Sequence, residues 1–189
     1  LDILVDISKS MDLPDTPKAQ GLLRTTAALT VAARNAGCSS ACWLLGNPVR
    51  RLGNDQAMPR AWDPVSFDAL EDPAMALTEM MPLMKRNAIR VLLSDTMWEG
   101  DPVPLVRRLG DQANALSVVQ ILSHEETEPP LHGNMRLLDA ETGEHMELFI
   151  DSDVQSRYVA ALSQHQAHWE RACRAAGSRL LCIQAESLV

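Results

Sequence analysis

No apolar run in this chain approaches the roughly twenty residues needed to cross a bilayer, so no segment reads as a membrane span. A basic excess is missing too: 17 Lys and Arg stand against 25 Asp and Glu, the formal net charge is −8, and the basic residues are scattered. Phosphate binding needs a basic face, so nucleic acid is not an expected partner, whereas cations or basic surfaces are. There is no GxxxxGK[ST] loop, no GxGxxG after the first apolar run and no GxSxG elbow. Those absences remove the usual nucleotide-phosphate, dinucleotide and serine-hydrolase sites. The four cysteines, Cys38, Cys42, Cys173 and Cys182, make no CxxC pair and have no histidines at finger spacing. They read as buried free thiols in a reducing compartment, not as zinc ligands. No signal peptide is visible, because residue 1 already belongs to an expected strand. The start without an initiator Met reads as an excised fragment, with 1–189 a single domain. The expected location is cytoplasmic, any membrane tether lying in chain outside these residues.

What is present suits one folded α/β domain: 189 residues, 46% apolar and 22% charged. Leu22, Leu23, Thr26, Leu29, Thr30 and Ala33 recur at helical spacing after Pro17 and stop at Gly37. Ala41–Leu45, the turn Gly46-Asn47-Pro48 and Val49–Leu52 predict a strand, a tight turn and a returning strand. A loop with Trp62 and Phe67 leads to a Met-rich helix from Asp72-Pro73 through Met75, Leu77, Met80, Met81 and Met84, bent near Pro82 and used for core packing. Asp101-Pro102 opens the next helix, Val118–Leu122 gives a strand, and Met135–Leu138 with Met146–Ile150 gives a hairpin around Thr142-Gly143. Asp151 or Ser152 caps a long helix with Val154, Tyr158, Leu162, His165 and Trp169 on one stripe, and Leu180–Gln184 is the last strand. Strands that alternate with helices imply a largely parallel sheet.

The chemistry concentrates in Asp6, Ser8 and Ser10, three oxygen side chains at alternate positions after the apolar run Ile3-Leu4-Val5. Extended backbone sends alternate side chains to one face, so the trio can line a pocket at the strand's carboxyl end, where open α/β sheets bind ligands. Carboxylate and hydroxyl oxygens are hard donors that suit Mg²⁺ or Mn²⁺. The same residues also suit a strand end whose Asp and Ser cap the next helix. A second apolar run, Ile89-Arg90-Val91-Leu92-Leu93-Ser94-Asp95, also ends in an acid, and a parallel neighbour would bring Asp95 to the same sheet edge as Asp6.

The DxSxS trio followed by a strand ending in Ser-Asp resembles the metal-ion-dependent adhesion site of von Willebrand factor A domains. Leu131–Ile150, with the turn Leu138-Asp139-Ala140-Glu141-Thr142-Gly143-Glu144, and Tyr158 are similar to a bacterial branch of these proteins that accompanies MoxR-type AAA+ ATPases. The resemblance implies a three-layer Rossmann-like fold: a largely parallel central sheet with one antiparallel edge strand, an added β-hairpin, and helices on both faces. It implies Ser8 and Ser10 as direct ligands of Mg²⁺ or Mn²⁺, with Asp6 and Asp95 as water-bridged partners. An ion with few direct carboxylates keeps charge to accept an acidic side chain from a protein partner, here expected in a MoxR-linked assembly or maturation system, without enzymatic activity. The family's threonine is missing; between residues 63 and 73, Ser66 or Asp68 stands nearest its place, and Thr78 lies too deep in the helix. Trp98, in Thr96-Met97-Trp98-Glu99-Gly100, belongs on the rim as a partner anchor or packed under its own loop. His165 and His168 have a metal-compatible spacing, but His165 falls on the apolar stripe. The alternative is a Mg²⁺-dependent phosphate-ester hydrolase with Asp6 as nucleophile, although Ser8 stands where such enzymes carry a second Asp.

Overall fold

The computed structural model describes residues 1–53, 58–69, 73–80, 83–98, 100–129, 133–140 and 143–189. Among the described residues, eight strands and five α-helices follow one another as β1 (Asp2–Asp6), α1 (Lys18–Asn35), β2 (Ala41–Leu45), β3 (Arg50–Arg51), α2 (Pro73–Met80), β4 (Ile89–Ser94), α3 (Pro102–Gly110), β5 (Ala115–Leu122), α4 (His124–Thr127), β6 (Gly133–Leu138), β7 (His145–Ile150), α5 (Ser152–Ala175) and β8 (Arg179–Gln184). Six strands form one sheet in the order β3-β2-β1-β4-β5-β8, parallel except for β3 at the edge. The hairpin β6–β7 is a separate two-stranded sheet.

Period-two alternation along the central strands builds the two faces of a Rossmann-like three-layer fold. Ile3 and Val5 of β1 with Val91 and Leu93 of β4 join Leu22 of α1 in one core; Leu4 and Leu92 join Leu77 of α2, Val106 and Leu109 of α3, and Trp169 and Cys173 of α5 in the other. These strands are buried on both sides, which is why they read as unbroken apolar runs. Among the described side chains around α2, Ala76, Leu77 and Met84 are buried, while Met75 is exposed. The expected cap at Asp72, the Met80 side chain, Met81, the bend at Pro82, and Leu131, Glu141 and Thr142 of the hairpin segment lie outside the described residues. Two of the four thiols depart from expectation: Cys42 and Cys173 are buried, whereas Cys38 and Cys182 are exposed, and all four are free. Cys182 is exposed because β8 is an edge strand that the helices cover only in part.

At the amino end of β4, buried Arg90 donates from Nη1 to the carbonyls of Leu109 (2.6 Å) and Asp111 (2.8 Å) and from Nη2 to that of Lys85 (3.2 Å). A guanidinium fork at the carboxyl end of α3 satisfies carbonyls that the helix leaves open and complements its dipole. Lysine cannot reproduce the fork, so Arg90→Lys should lower unfolding free energy in urea by about 1–3 kcal/mol. An unchanged transition midpoint would contradict that role.

Candidate functional site

Strand order reverses between β1 and β4: β2 lies on the far side of β1, and β5 and β8 on the far side of β4. That switch point is where open parallel sheets bind ligands, and it holds Asp6 and Asp95. Val5 is in register with Leu93, so the two strands deliver both acids to one carboxyl edge. Both carboxylates are almost completely buried, Asp6 at 0% and Asp95 at 1% exposure.

Asp6 organises the loop that follows it. Its Oδ1 accepts from the Ser8 amide at 2.9 Å, and its Oδ2 accepts from Ser94 Oγ at 2.6 Å and Trp98 Nε1 at 3.3 Å. The side chain bonding to the backbone two residues on is an Asx turn, and it ends the extended conformation. Simple strand alternation therefore does not carry through to Ser10, which sits in a 3-10 turn over Lys9–Asp12. The turn still brings the hydroxyls together, with Ser8 Oγ and Ser10 Oγ 3.0 Å apart. Burial, reinforced by the charge of Asp95, pushes the Asp6 carboxyl up from 3.8 to about 6, against the opposing pull of its Ser94 and Ser8 bonds.

Asp95 is held by its own turn. Its Oδ1 accepts from the Met97 amide at 3.0 Å, while Thr96 between them adopts φ 59°, a left-handed conformation rare for a β-branched residue. Gln120 Nε2 donates to Asp95 O and Thr96 Oγ1, His165 Nε2 bonds to Thr96 O at 2.7 Å, and Gln166 Nε2 donates to Gln120. This network over-determines the strained residue and ties the loop to α5, as strained positions at functional sites require. It also gives His165 its role: the ring anchors Thr96, whereas His168 faces Asp101 at 3.3 Å, so the two histidines do not converge. Trp98 packs edge-on against Trp169 at 5.5 Å while its indole reaches Asp6, so it belongs to the core of its own loop; Glu99 lies outside the described residues.

The segment expected to supply a threonine lies beside the trio. Ala69 bridges Ser8 in parallel, its amide donating to Ile7 O at 3.2 Å. Ser66 and Asp68 are both exposed on this segment, and Asp68 lines a hollow of about 440 Å³ with Ile7, Gly46, Asn47, Pro48 and Arg50. Thr78 lies elsewhere, bonding Ala74 O within α2 and accepting from Arg108.

Two residues that sequence reasoning missed complete the edge. Lys18, in the first turn of α1, is fully buried and places Nζ 3.1 Å from Asp95 Oδ2 and 2.8 Å from Glu126 Oε1. Glu126 is fixed by a capping box on α4, where its Oε2 accepts from the amide and hydroxyl of Ser123 at 2.7 and 2.9 Å. Beyond Glu126 an apolar groove of about 600 Å³ opens between the 3-10 turn and the hairpin, with Leu13, Pro14, Met135, Leu148, Val154 and Tyr158 on its walls. The signals were present in the sequence: Ser123 and Glu126 have capping-box spacing after a strand, and a lysine with no acid beside it opens α1 against the helix dipole.

Chemically, the donors at this edge are hydroxyls and carboxylates. Among the described residues no three His, Cys, Asp or Glu side chains converge as a metal cluster. Hydroxyl and carboxylate oxygens are not the nitrogen and sulfur donors that zinc and copper prefer. Two adjacent hydroxyls backed by two buried carboxylates, one of them destabilised by the other's charge, do fit a hard cation.

Comparison with known proteins gives relatives by sequence and by structure. Uncharacterized protein MAV169 of Mycobacterium avium is 27% identical over 117 residues, covering 61% of this chain and 68% of that protein. The crystal structure of an aerotolerance-related membrane protein from Bacteroides fragilis, carrying multiple mutations to serines, aligns with a TM-score of 0.53 at 10% identity, covering 99% of this chain and 94% of that one. BatB from Bacteroides thetaiotaomicron aligns with a TM-score of 0.49 at 10% identity, covering 97% of this chain and 89% of that one. No helix among the described residues is long and apolar enough to cross a membrane. The model of the family described as protein of unknown function DUF58 matches residues 1–168, and this chain belongs to that family.

Proposed function

We propose that the domain is a cation-dependent protein-interaction module of the von Willebrand factor A type. In this reading Ser8 and Ser10 hold Mg²⁺ or Mn²⁺ directly, Asp6 and Asp95 hold it through water, and Ser66 or Asp68 stands nearest the place of the family's missing threonine. The observation that carries the reading is the meeting of the Ser8 and Ser10 hydroxyls, 3.0 Å apart, beside a carboxylate that burial and Asp95 make reluctant to ionise. A divalent ion relieves that repulsion, and with neutral hydroxyls as direct ligands it keeps the charge to attract an acidic side chain from a partner. The apolar groove beyond Glu126 gives the partner's neighbouring residues a surface to bury. A MoxR-type AAA+ ATPase is the partner class that the resemblance suggests.

The hydrolase alternative draws no support from the geometry. Such enzymes carry a second Asp two residues after the nucleophile as general acid, and this chain has Ser8 at that place. The module reading is tested by capture from extract of the source cells on the immobilised domain. Partners should be retained in Mg²⁺, released by chelator, and absent from a Ser8→Ala/Ser10→Ala variant. Equal retention with and without chelator, or by the variant, would contradict it.

A further inference from the structure

The buried ammonium of Lys18 is the least expected charge in the molecule. It lies at the positive end of its own helix, where the dipole disfavours it, and it is completely removed from water. Two carboxylates from different elements compensate: Asp95, just past β4, and Glu126 on α4. They are not equivalent. Asp95 belongs to the carboxylate pair at the switch point, while Glu126 reaches the ammonium from α4 with its second oxygen held by Ser123.

We infer that Lys18 is a tethered monovalent rival of the divalent cation, which neutralises Asp95 in the cation-free protein and, with Glu126 as its second anchor, sets the affinity of the site. The inference rests on the cation reading above. Removing an ordered cation from beside a buried carboxylate would otherwise leave that carboxylate uncompensated, which is costly. Lys18 supplies the compensation without a ligand, so the empty site stays folded. A divalent ion that recruits Asp95 must then share it with, or take it from, the ammonium, and like charges a few ångströms apart in a poorly solvated site repel strongly. Glu126 makes the sharing feasible, because it keeps the ammonium paired at 2.8 Å when Asp95 turns toward the ion. Lys18 is thus an affinity-determining residue that acts through Asp95, to which its ammonium is bonded at 3.1 Å.

The test is calorimetric titration of the whole chain with Mn²⁺ and Mg²⁺ in the wild type, Lys18→Met, Lys18→Gln and Lys18→Arg. Loss of one positive charge at this range is expected to tighten binding on the order of tenfold or more in the Met and Gln variants. The Arg variant keeps the charge and should bind no tighter than the wild type. Gln retains a donor to the carboxylates and serves where Met compromises folding. Binding by the Met or Gln variant but not by the wild type would also support the inference, since the ammonium would then fill the place outright. If the wild type binds and neither neutral variant binds tighter, the inference is overturned and the cation site stands. If no variant binds, both fall.

Discussion

Asp6→Asn is expected to remove a loss of stability that the cation-free protein undergoes as pH rises from 4 to 7. Burial and the Asp95 charge raise the folded-state pKa of Asp6 from 3.8 to about 6, so the folded state holds this proton more tightly than the unfolded chain. Below 3.8 both states are protonated and the favourable contribution is fully present. Between 3.8 and about 6 the unfolded chain has ionised and the folded one has not, so each increment of pH favours unfolding. Above that window the loss is complete, at about 3 kcal/mol for a shift of this size. This is opposite in sign to the usual salt-bridged aspartate, whose stability is lost on acidification. Urea unfolding in chelator at several pH values checks it: the wild type should lose ground to Asp6→Asn as pH rises, and a difference between the two that does not change with pH would contradict the raised pKa.

Magnesium is expected to restore what ionisation of Asp6 takes away. A ligand that binds only the folded state at a hundred times its dissociation constant stabilises by about 2.7 kcal/mol. For a domain of this size that corresponds to a rise in Tm of roughly 5–10 °C. The rise should grow with pH across the window in which Asp6 ionises, because the cation favours the charged form. Asp6→Ala should abolish it, and Asp95→Ala should weaken it by removing the second carboxylate together with the anchor of Lys18. A Mg²⁺ response that survives intact in Asp6→Ala would place the cation elsewhere in the molecule.

The fold was legible where one local rule acted alone. Strands β1, β4 and β5 announce themselves as apolar runs because both faces are covered, and Gly37, Asp101-Pro102 and Asp151 mark helix ends by their own chemistry. Asp101 and Asp151 do cap the first amides of α3 and α5. The meeting of Asp6 and Asp95 was also legible, since two parallel strands ending in acids share an edge only if they are neighbours, and they are. Three things were not. The Asx turn at Asp6 replaces alternation with a 3-10 turn, a choice made by a side chain competing with its own backbone. The burial of Lys18 depends on where the first turn of α1 lands over the sheet edge, which is a tertiary fact. Thr96 violates its local preference, and only the contacts from Gln120 and His165, distant in sequence, explain why it stays there.

The proposed function reduces to whether Ser8, Ser10, Asp6 and Asp95 hold a divalent cation. Calorimetric titration of the chelator-stripped chain with Mn²⁺ measures that directly. The geometry predicts saturable binding of one ion in the wild type and its loss in Ser8→Ala/Ser10→Ala; an absence of heat in the wild type and in the neutral Lys18 variants, or equal binding by the serine variant, would contradict it.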